Sequence, residues 1–245
     1  MKESFFCSIC IEEGLNDHFE VEVNENFFES PEVECSNGHK FILANSTPKF
    51  DYLFTMAVEE YKKANYSQSV LMLYSGYECY LKDFVATYLM SQLKDMDTVE
   101  KTLKEINRSE RINGAFVSIY AMLFKEVYKN EIEKKHSTIR NKVFHAGYFP
   151  SEEDCMKMGN AVLSVIMEIN KKYIDLGKAS GWTAYDLLNY NLDRTIYHCE
   201  KKGVKWGVGS PNQVQSFSSN KGIFSSGAIL PEVPTDPFKI LTSKV

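Results

Sequence analysis

Along the first 45 residues, apolar and acidic positions alternate in short runs. Phe19-Glu-Val-Glu-Val23 has the period of two expected of a half-buried strand. Lys40-Phe-Ile-Leu43 reads as a second strand able to pair with it, so a short β-hairpin is the expected scaffold. From Pro48 onward the apolar period lengthens to about 3.6 residues, that of an amphipathic helix. Phe50, Leu53, Phe54, Ala57, Val58 and Tyr61 fall on one stripe, and that helix should end near Ala64-Asn65. Val70, Tyr74, Tyr77, Leu81, Phe84 and Tyr88 mark a long helix, with Ser67 as its expected N-cap. Further helices are predicted over Thr98 to Ile106, from Ile112 through Val127, and from Ile132 through His136, Ile139 and Val143 to a stop at Gly147. Ser151-Glu-Glu-Asp154 has the chemistry of a fresh helix start, and Val162 to Tyr173 carry that helix forward. A last amphipathic piece runs from Ala184 to about Lys201, and no strand is predicted after Leu43. The expected fold is mainly α: a helical bundle over residues 48–202, a small N-terminal β-hairpin unit over 1–45, and an irregular tail over 203–245. That tail is rich in Gly, Ser, Asn and Pro and is expected to be flexible or ordered by a partner.

Composition narrows the class. With 245 residues, 44% of them hydrophobic and 25% charged, the chain can bury a sizeable core, and disorder throughout is excluded. No run approaches the ~20 consecutive apolar residues that span a bilayer. The opening Met1-Lys-Glu-Ser-Phe-Phe6 lacks the build of a secretory signal, so a cytoplasmic protein without membrane partners is expected. Six cysteines in such a setting should stay reduced. Residues 1–39 hold ten acidic side chains against one Lys, while the rest of the chain carries 27 basic against 23 acidic ones, which makes the two parts separate electrostatic objects. The net charge of −5 disfavours a protein that coats nucleic acid nonspecifically.

Two constellations carry chemistry. Cys7-Ser-Ile-Cys10 and Cys35-Ser-Asn-Gly-His39 form two knuckles of the kind that close a tetrahedral Cys₃His site, with Asn37-Gly38 as the positive-φ turn that returns His39 to Cys35. Four protein ligands leave no open position, so the expected cofactor is a structural zinc ion. The segment has little apolar content of its own, and the metal should supply much of its folding free energy. Cys79, Cys155 and Cys199 stand apart and are assigned to packing, and His198 beside Cys199 lacks a second knuckle. The second constellation is Lys134-Lys-His136-Ser-Thr-Ile-Arg140-Asn141-Lys142-Val-Phe-His145-Ala-Gly147, a cationic and polar concentration at a helix end. His145 near neutrality can take and return a proton, and Arg140 offers a permanent planar charge to a phosphate. Together they suit phosphodiester cleavage without a catalytic metal. The same residues admit a structural reading, in which Arg140 pairs with a carboxylate such as Glu78 and His145 only caps a helix. Lys134, Lys135 and Lys142 are a solvated face or a grip on an RNA backbone, and Tyr148 and Phe149 either pack or stack on a base.

Arg140-Asn-Lys-Val-Phe-His145-Ala-Gly147 at a helix end, with the acidic cap and long helix that follow and with Glu78 inside Tyr77-Glu-Cys-Tyr-Leu81 upstream, resembles the signature of HEPN domains. The resemblance covers residues 48–176, and Arg140, Asn141 and His145 occupy the family's motif positions. It implies a HEPN-like helical bundle that forms a homodimer and brings two Arg/His pairs into one cleft. Active members are metal-independent endoribonucleases that use the RNA 2′-hydroxyl as nucleophile. Many of them are toxins or antiphage defence effectors held by an antitoxin or another regulatory protein. Other members are noncatalytic modules that dimerise and scaffold larger complexes. By similarity Arg140 and His145 are catalytic residues acting on RNA, possible tRNA among its forms, and Asn141 orients them.

Overall fold

A strand absent from the predicted pattern, β1 (Lys2–Phe6), pairs antiparallel with β2 (His18–Glu22), setting Phe5 opposite Phe19. The computed structural model describes residues 2–15, 17–45, 47–129, 132, 136–180, 190–209, 238, 239 and 242. The short helices α1 (Ser8–Glu12) and α2 (Glu25–Phe28) flank β2. A second sheet joins β3 (Glu32–Glu34) antiparallel to β4 (Lys40–Asn45). The expected hairpin between Phe19–Val23 and Lys40–Leu43 is therefore replaced by two separate pairings. The reason lies at Glu3: it takes a fully buried inward position on β1, so the period-two pattern that marks a strand carries a carboxylate where an apolar residue would announce it.

Phe5, Phe19, Phe27 and Phe41 meet in the interior of this unit, with ring centroids 5.9 Å apart for Phe5 and Phe19 and 5.7 Å for Phe19 and Phe41. The unit thus has more apolar substance than its acidic composition suggests. Glu3 apart, the glutamates of its strands occupy the outward positions, and Phe5, Phe19 and Phe41 the inward ones.

The chain then enters α3 (Lys49–Lys62), whose Tyr52 turns away from the bundle and packs edge-on against Phe27 at 5.4 Å. Ala64, at φ 59°, ends α3 and starts the reversal into α4 (Tyr66–Leu93). Asn65, rather than Ser67, sits at the N-cap position of α4. The two helices run antiparallel: Ser69 donates to the Ala57 carbonyl at 2.7 Å at one end, and Phe50 meets Tyr80 edge-on at the other. The Phe54 ring lies against Gly76, where there is no Cβ to exclude it.

Around α4 are set α5 (Met96–Glu105), α6 (Ser109–Phe124), α7 (Ser137–Ala146), α8 (Glu152–Ser180) and α9 (Tyr190–Lys202). The Tyr80 hydroxyl donates to Asn170 on α8 at 2.9 Å within the core, and Phe84 packs against Phe116 on α6. Ile132 is buried ahead of α7, while residues 133–135, which include Lys134 and Lys135, lie outside the described residues. The fold is mainly helical with a small N-terminal two-strand antiparallel sheet. Among the described residues no helix is long and apolar enough to cross a membrane.

The N-terminal unit is stitched to the bundle from several directions. Lys49 bonds both oxygens of Glu25 at 2.7 and 2.8 Å, and Ser30 meets Thr195 of α9 at 2.6 Å. Arg194 reaches from Glu100 on α5 at 2.7 Å to Glu29 at 3.5 Å. Burial works to raise the Glu100 carboxyl, but the bonds to His198 and Arg194 outweigh it and hold the group below the usual carboxylate range. After Gly203 the chain returns as β5 (Trp206–Gly209), parallel to β4 with Ile42 opposite Trp206. Only four residues pair there, two of them glycines, so alternation could not signal the strand. Phe238 is buried in the bundle, and the other residues after Gly209 lie outside the described ones except Lys239 and Thr242.

Gly76→Ala should be destabilising despite the better helix propensity of Ala. Its Cβ would stand 2.4 Å from the Phe54 ring, and overpacking of this kind costs about 1–3 kcal/mol against a propensity gain of about 1 kcal/mol. The midpoint of urea unfolding measures the difference, and an unchanged or higher midpoint would show that the α3–α4 contact yields more easily than its packing implies.

Candidate functional site

Cys7 caps α1, and its sulfur accepts the backbone N–H of Cys10 at 3.4 Å, so the first knuckle turns both thiols to one side. The second knuckle closes by Gly38 N–H donating to the Cys35 carbonyl at 2.9 Å and Cys35 N–H to the His39 carbonyl at 3.1 Å. Gly38 adopts φ +80°, the conformation expected of Asn37-Gly38. Asp17 holds this turn through the backbone N–H and hydroxyl of Ser36 at 3.0 and 2.7 Å, while its own carbonyl accepts the Cys7 N–H.

The knuckles bring Cys7, Cys10, Cys35 and His39 together with all four ligand atoms within 4.8 Å of one another. Cys10 and Cys35 sulfurs are 3.7 Å apart, and His39 Nδ1 lies 3.8, 3.3 and 3.5 Å from Cys7, Cys10 and Cys35. A tetrahedral zinc site with ordinary bond lengths separates its ligand atoms by about 3.8 Å for two sulfurs and about 3.6 Å for sulfur and nitrogen. The donor set therefore fits a metal ion such as zinc.

The electrostatics agree. Burial beside the other thiols pushes Cys10 up to about 11, while at Cys7 burial is outweighed by hydrogen bonds from the Cys10 backbone and His39, which draw it down, so a cation here favours the thiolate at Cys10 in particular. Asn37 Nδ2 donates to the Cys10 sulfur at 3.3 Å, and His39 Nε2 faces Glu13 Oε2 at 3.3 Å. A carboxylate on the far nitrogen fixes the imidazole with Nδ1 toward the sulfurs. Spacing did not single out Glu13 and Asp17, and it marked Asn37 only as a turn residue, not as a donor to Cys10; these relations arise when the knuckles meet in space.

The Arg140 constellation lies on α7, at the surface of the bundle. Gly147 ends that helix in the left-handed region at φ 61°, and Tyr148 N–H returns to the Lys142 carbonyl at 3.1 Å. Ser151 and Asp154 form a reciprocal capping box at the start of α8. Asp154 N–H donates to the Ser151 hydroxyl at 3.1 Å, and the Asp154 carboxylate takes the Ser151 N–H at 3.0 Å and the Tyr148 hydroxyl at 2.9 Å. These bonds hold the Asp154 carboxyl below its ordinary range. The turn between α7 and α8 is fixed from both sides.

On that framed helix end, Arg140 Nη1 donates to Asn141 Oδ1 at 2.8 Å. The guanidinium lies over the rings of Tyr74 and Phe144 at 5.2 and 5.7 Å. Asn141 and His145 are exposed, and the Phe144 ring is 4.9 Å from the imidazole. Phe144 and Phe149 are 66% and 87% exposed, and Lys142 lies over the Tyr148 ring at 5.8 Å. Comparison of the chain with family models, with curated proteins and with solved structures returns no match.

Glu13→Gln should leave the four ligands in place and weaken metal binding about 10–100-fold through loss of the outer carboxylate. Competition for zinc against a chromophoric chelator reads this directly, and an affinity equal to that of the unaltered protein would remove Glu13 from the site.

Proposed function

We propose that the chain is a metal-independent endoribonuclease of the HEPN type, acting as a homodimer on RNA, with a structural zinc ion in its N-terminal ribbon. The single observation that carries the reading is the surface end of α7. There Arg140 bonds Asn141 and lies over the Phe144 ring, which is 4.9 Å from the exposed His145 imidazole. Exposed Phe144 against the Arg140 guanidinium, and Tyr148 under Lys142, offer stacking surfaces and cations, the mixture that single-stranded RNA favours.

The chemistry follows from these groups. The RNA 2′-oxygen attacks the adjacent phosphorus as its proton passes to a base. The bond from phosphorus to the 5′-oxygen breaks, and the leaving oxygen takes up a proton, giving a 2′,3′-cyclic phosphate and a 5′-hydroxyl. His145 is the group able to move those protons, and the two copies in a dimer can divide the roles of base and acid. Arg140 carries the charge that grows on the phosphoryl oxygens, and Asn141 holds its guanidinium in plane. Zinc held by Cys7, Cys10, Cys35 and His39 supplies folding free energy, since four protein ligands close its coordination shell. The resemblance places such a nuclease among cytoplasmic toxins and defence effectors, restrained by a regulatory or antitoxin partner.

One observation favours a second reading. Phe144 and Phe149 are exposed as the apolar centre of an association surface would be, and the Arg140 guanidinium is already engaged by Asn141 and two rings. On that reading the bundle is a noncatalytic HEPN scaffold. Incubation with total RNA and tRNA in magnesium-free buffer containing EDTA decides between them. The nuclease reading expects cleavage with 2′,3′-cyclic phosphate ends, and a fall of about 10²–10⁴-fold in rate for His145→Ala at unchanged thermal stability. Cleavage that survives His145→Ala, or no cleavage by the dimer, supports the scaffold instead.

A further inference from the structure

Gly159 and Asn160 sit in succession in the body of α8, a 29-residue helix in which both residue types are unfavourable. One contact explains both. The Phe238 ring lies where a Cβ on Gly159 would stand, with ring atoms 2.3 and 2.4 Å from that position. Asn160 Oδ1 accepts the backbone N–H groups of Phe238 and Lys239 at 2.8 and 3.3 Å. Asn160 thus holds two successive backbone N–H groups of another segment, as a capping side chain does. Thr242 donates to the Phe238 and Lys239 carbonyls, both at 3.1 Å. From α3, Tyr61 meets Phe238 edge-on at 5.4 Å, and the ring is 0% exposed.

The groove between α3 and α8 thus has the two parts of a peptide-recognition site. A socket accepts one aromatic ring, and a polar hook accepts the backbone N–H of that residue and of the next. We propose that this groove is a docking site for a segment anchored by one Phe, filled in cis by the chain's own Phe238 segment as a latch, and that the same segment from a second copy of the chain competes for it. Twenty-eight residues separate Gly209 from Phe238, a length that spans at most about 95 Å, so a socket on another copy is within reach. One ring and two hydrogen bonds make a weak contact between separate molecules, and the covalent tether is what fills the socket in cis. The latch is independent of the RNA chemistry proposed for α7.

A fluorescent peptide spanning residues 234–245, titrated by anisotropy into full-length protein, tests the docking. The peptide should bind Phe238→Ala about 10-fold more tightly than the unaltered chain, whose own tail competes at millimolar effective concentration. Adding Gly159→Leu to Phe238→Ala should abolish that binding. Equal binding to the unaltered and Phe238→Ala chains, absence of binding to Phe238→Ala, or binding that survives Gly159→Leu overturns the proposal. Hydrogen exchange on the unaltered chain gives a test that does not depend on emptying the socket. The Phe238 and Lys239 amides should be protected and should lose that protection in Asn160→Ala, and equally fast exchange in both proteins overturns the latch.

Discussion

Three thiols and one imidazole, drawn from two knuckles far apart in the chain, meet with all four ligand atoms within 4.8 Å, a spacing that fits a metal ion such as zinc. Every strand of the N-terminal unit is placed with respect to that meeting. Asp17 and His18 join the first knuckle to β2, with Asp17 also holding the turn of the second. The second knuckle links β3 to β4. A phenylalanine interior packs with the three thiols in one cluster, so the ligand residues and the apolar core share the same few positions. Sheets of two and three short strands are marginal alone, and this one gains a ligand cluster below, Tyr52 from α3 at its side and β5 along its edge.

That arrangement makes the ribbon part of the fold rather than a pendant module. β5 arrives only after the chain has passed through the whole bundle, and α9, which delivers it, carries Arg194 and Thr195 to Glu29 and Ser30 of the ribbon. The acidic character of the first 39 residues is spent partly on these contacts: Glu25 holds Lys49, and Glu29 faces Arg194. Phe238 adds a further closure at the opposite side of α3, against Gly159. Residues remote in sequence therefore determine whether the first and last segments stay in place.

The helical part was legible because its apolar residues obey one period for long stretches. Phe50 to Tyr61 and Val70 to Tyr88 mark α3 and α4, and Gly147 marks the end of α7. The knuckles were legible because a tight turn between ligands leaves a fixed spacing. What escaped has a physical reason in each case. Glu3 breaks the apolar alternation of β1 by burying a carboxylate, β5 is four residues long with two glycines, and Phe238 docks as a single ring with no periodic neighbours. Glu13 and Asn37 act through the ligands they touch, a relation created by folding. For α7 the sequence supplied the residues and the helix end, and the structure adds the company they keep. Arg140 bonds Asn141 and lies over Tyr74 and Phe144, with no part in the suggested pairing to Glu78 among its described contacts.

The two residue clusters sit in different settings. The three thiols are buried and the imidazole half-buried, mutually close and enclosed by outer hydrogen bonds, a setting that fits a metal ion such as zinc. Arg140, Asn141 and His145 stand at a solvent-facing helix end among exposed rings, the setting of a group that meets another molecule. The account rests on the first cluster, because it fixes the N-terminal unit against which α3, α9 and β5 are arranged. X-ray absorption at the zinc K edge of the purified, zinc-loaded protein addresses it most directly. The account predicts one zinc per chain with three sulfur neighbours at about 2.3 Å and one nitrogen neighbour at about 2.0 Å. A shell of oxygen and nitrogen with fewer sulfurs, or a protein that retains no zinc, would contradict it.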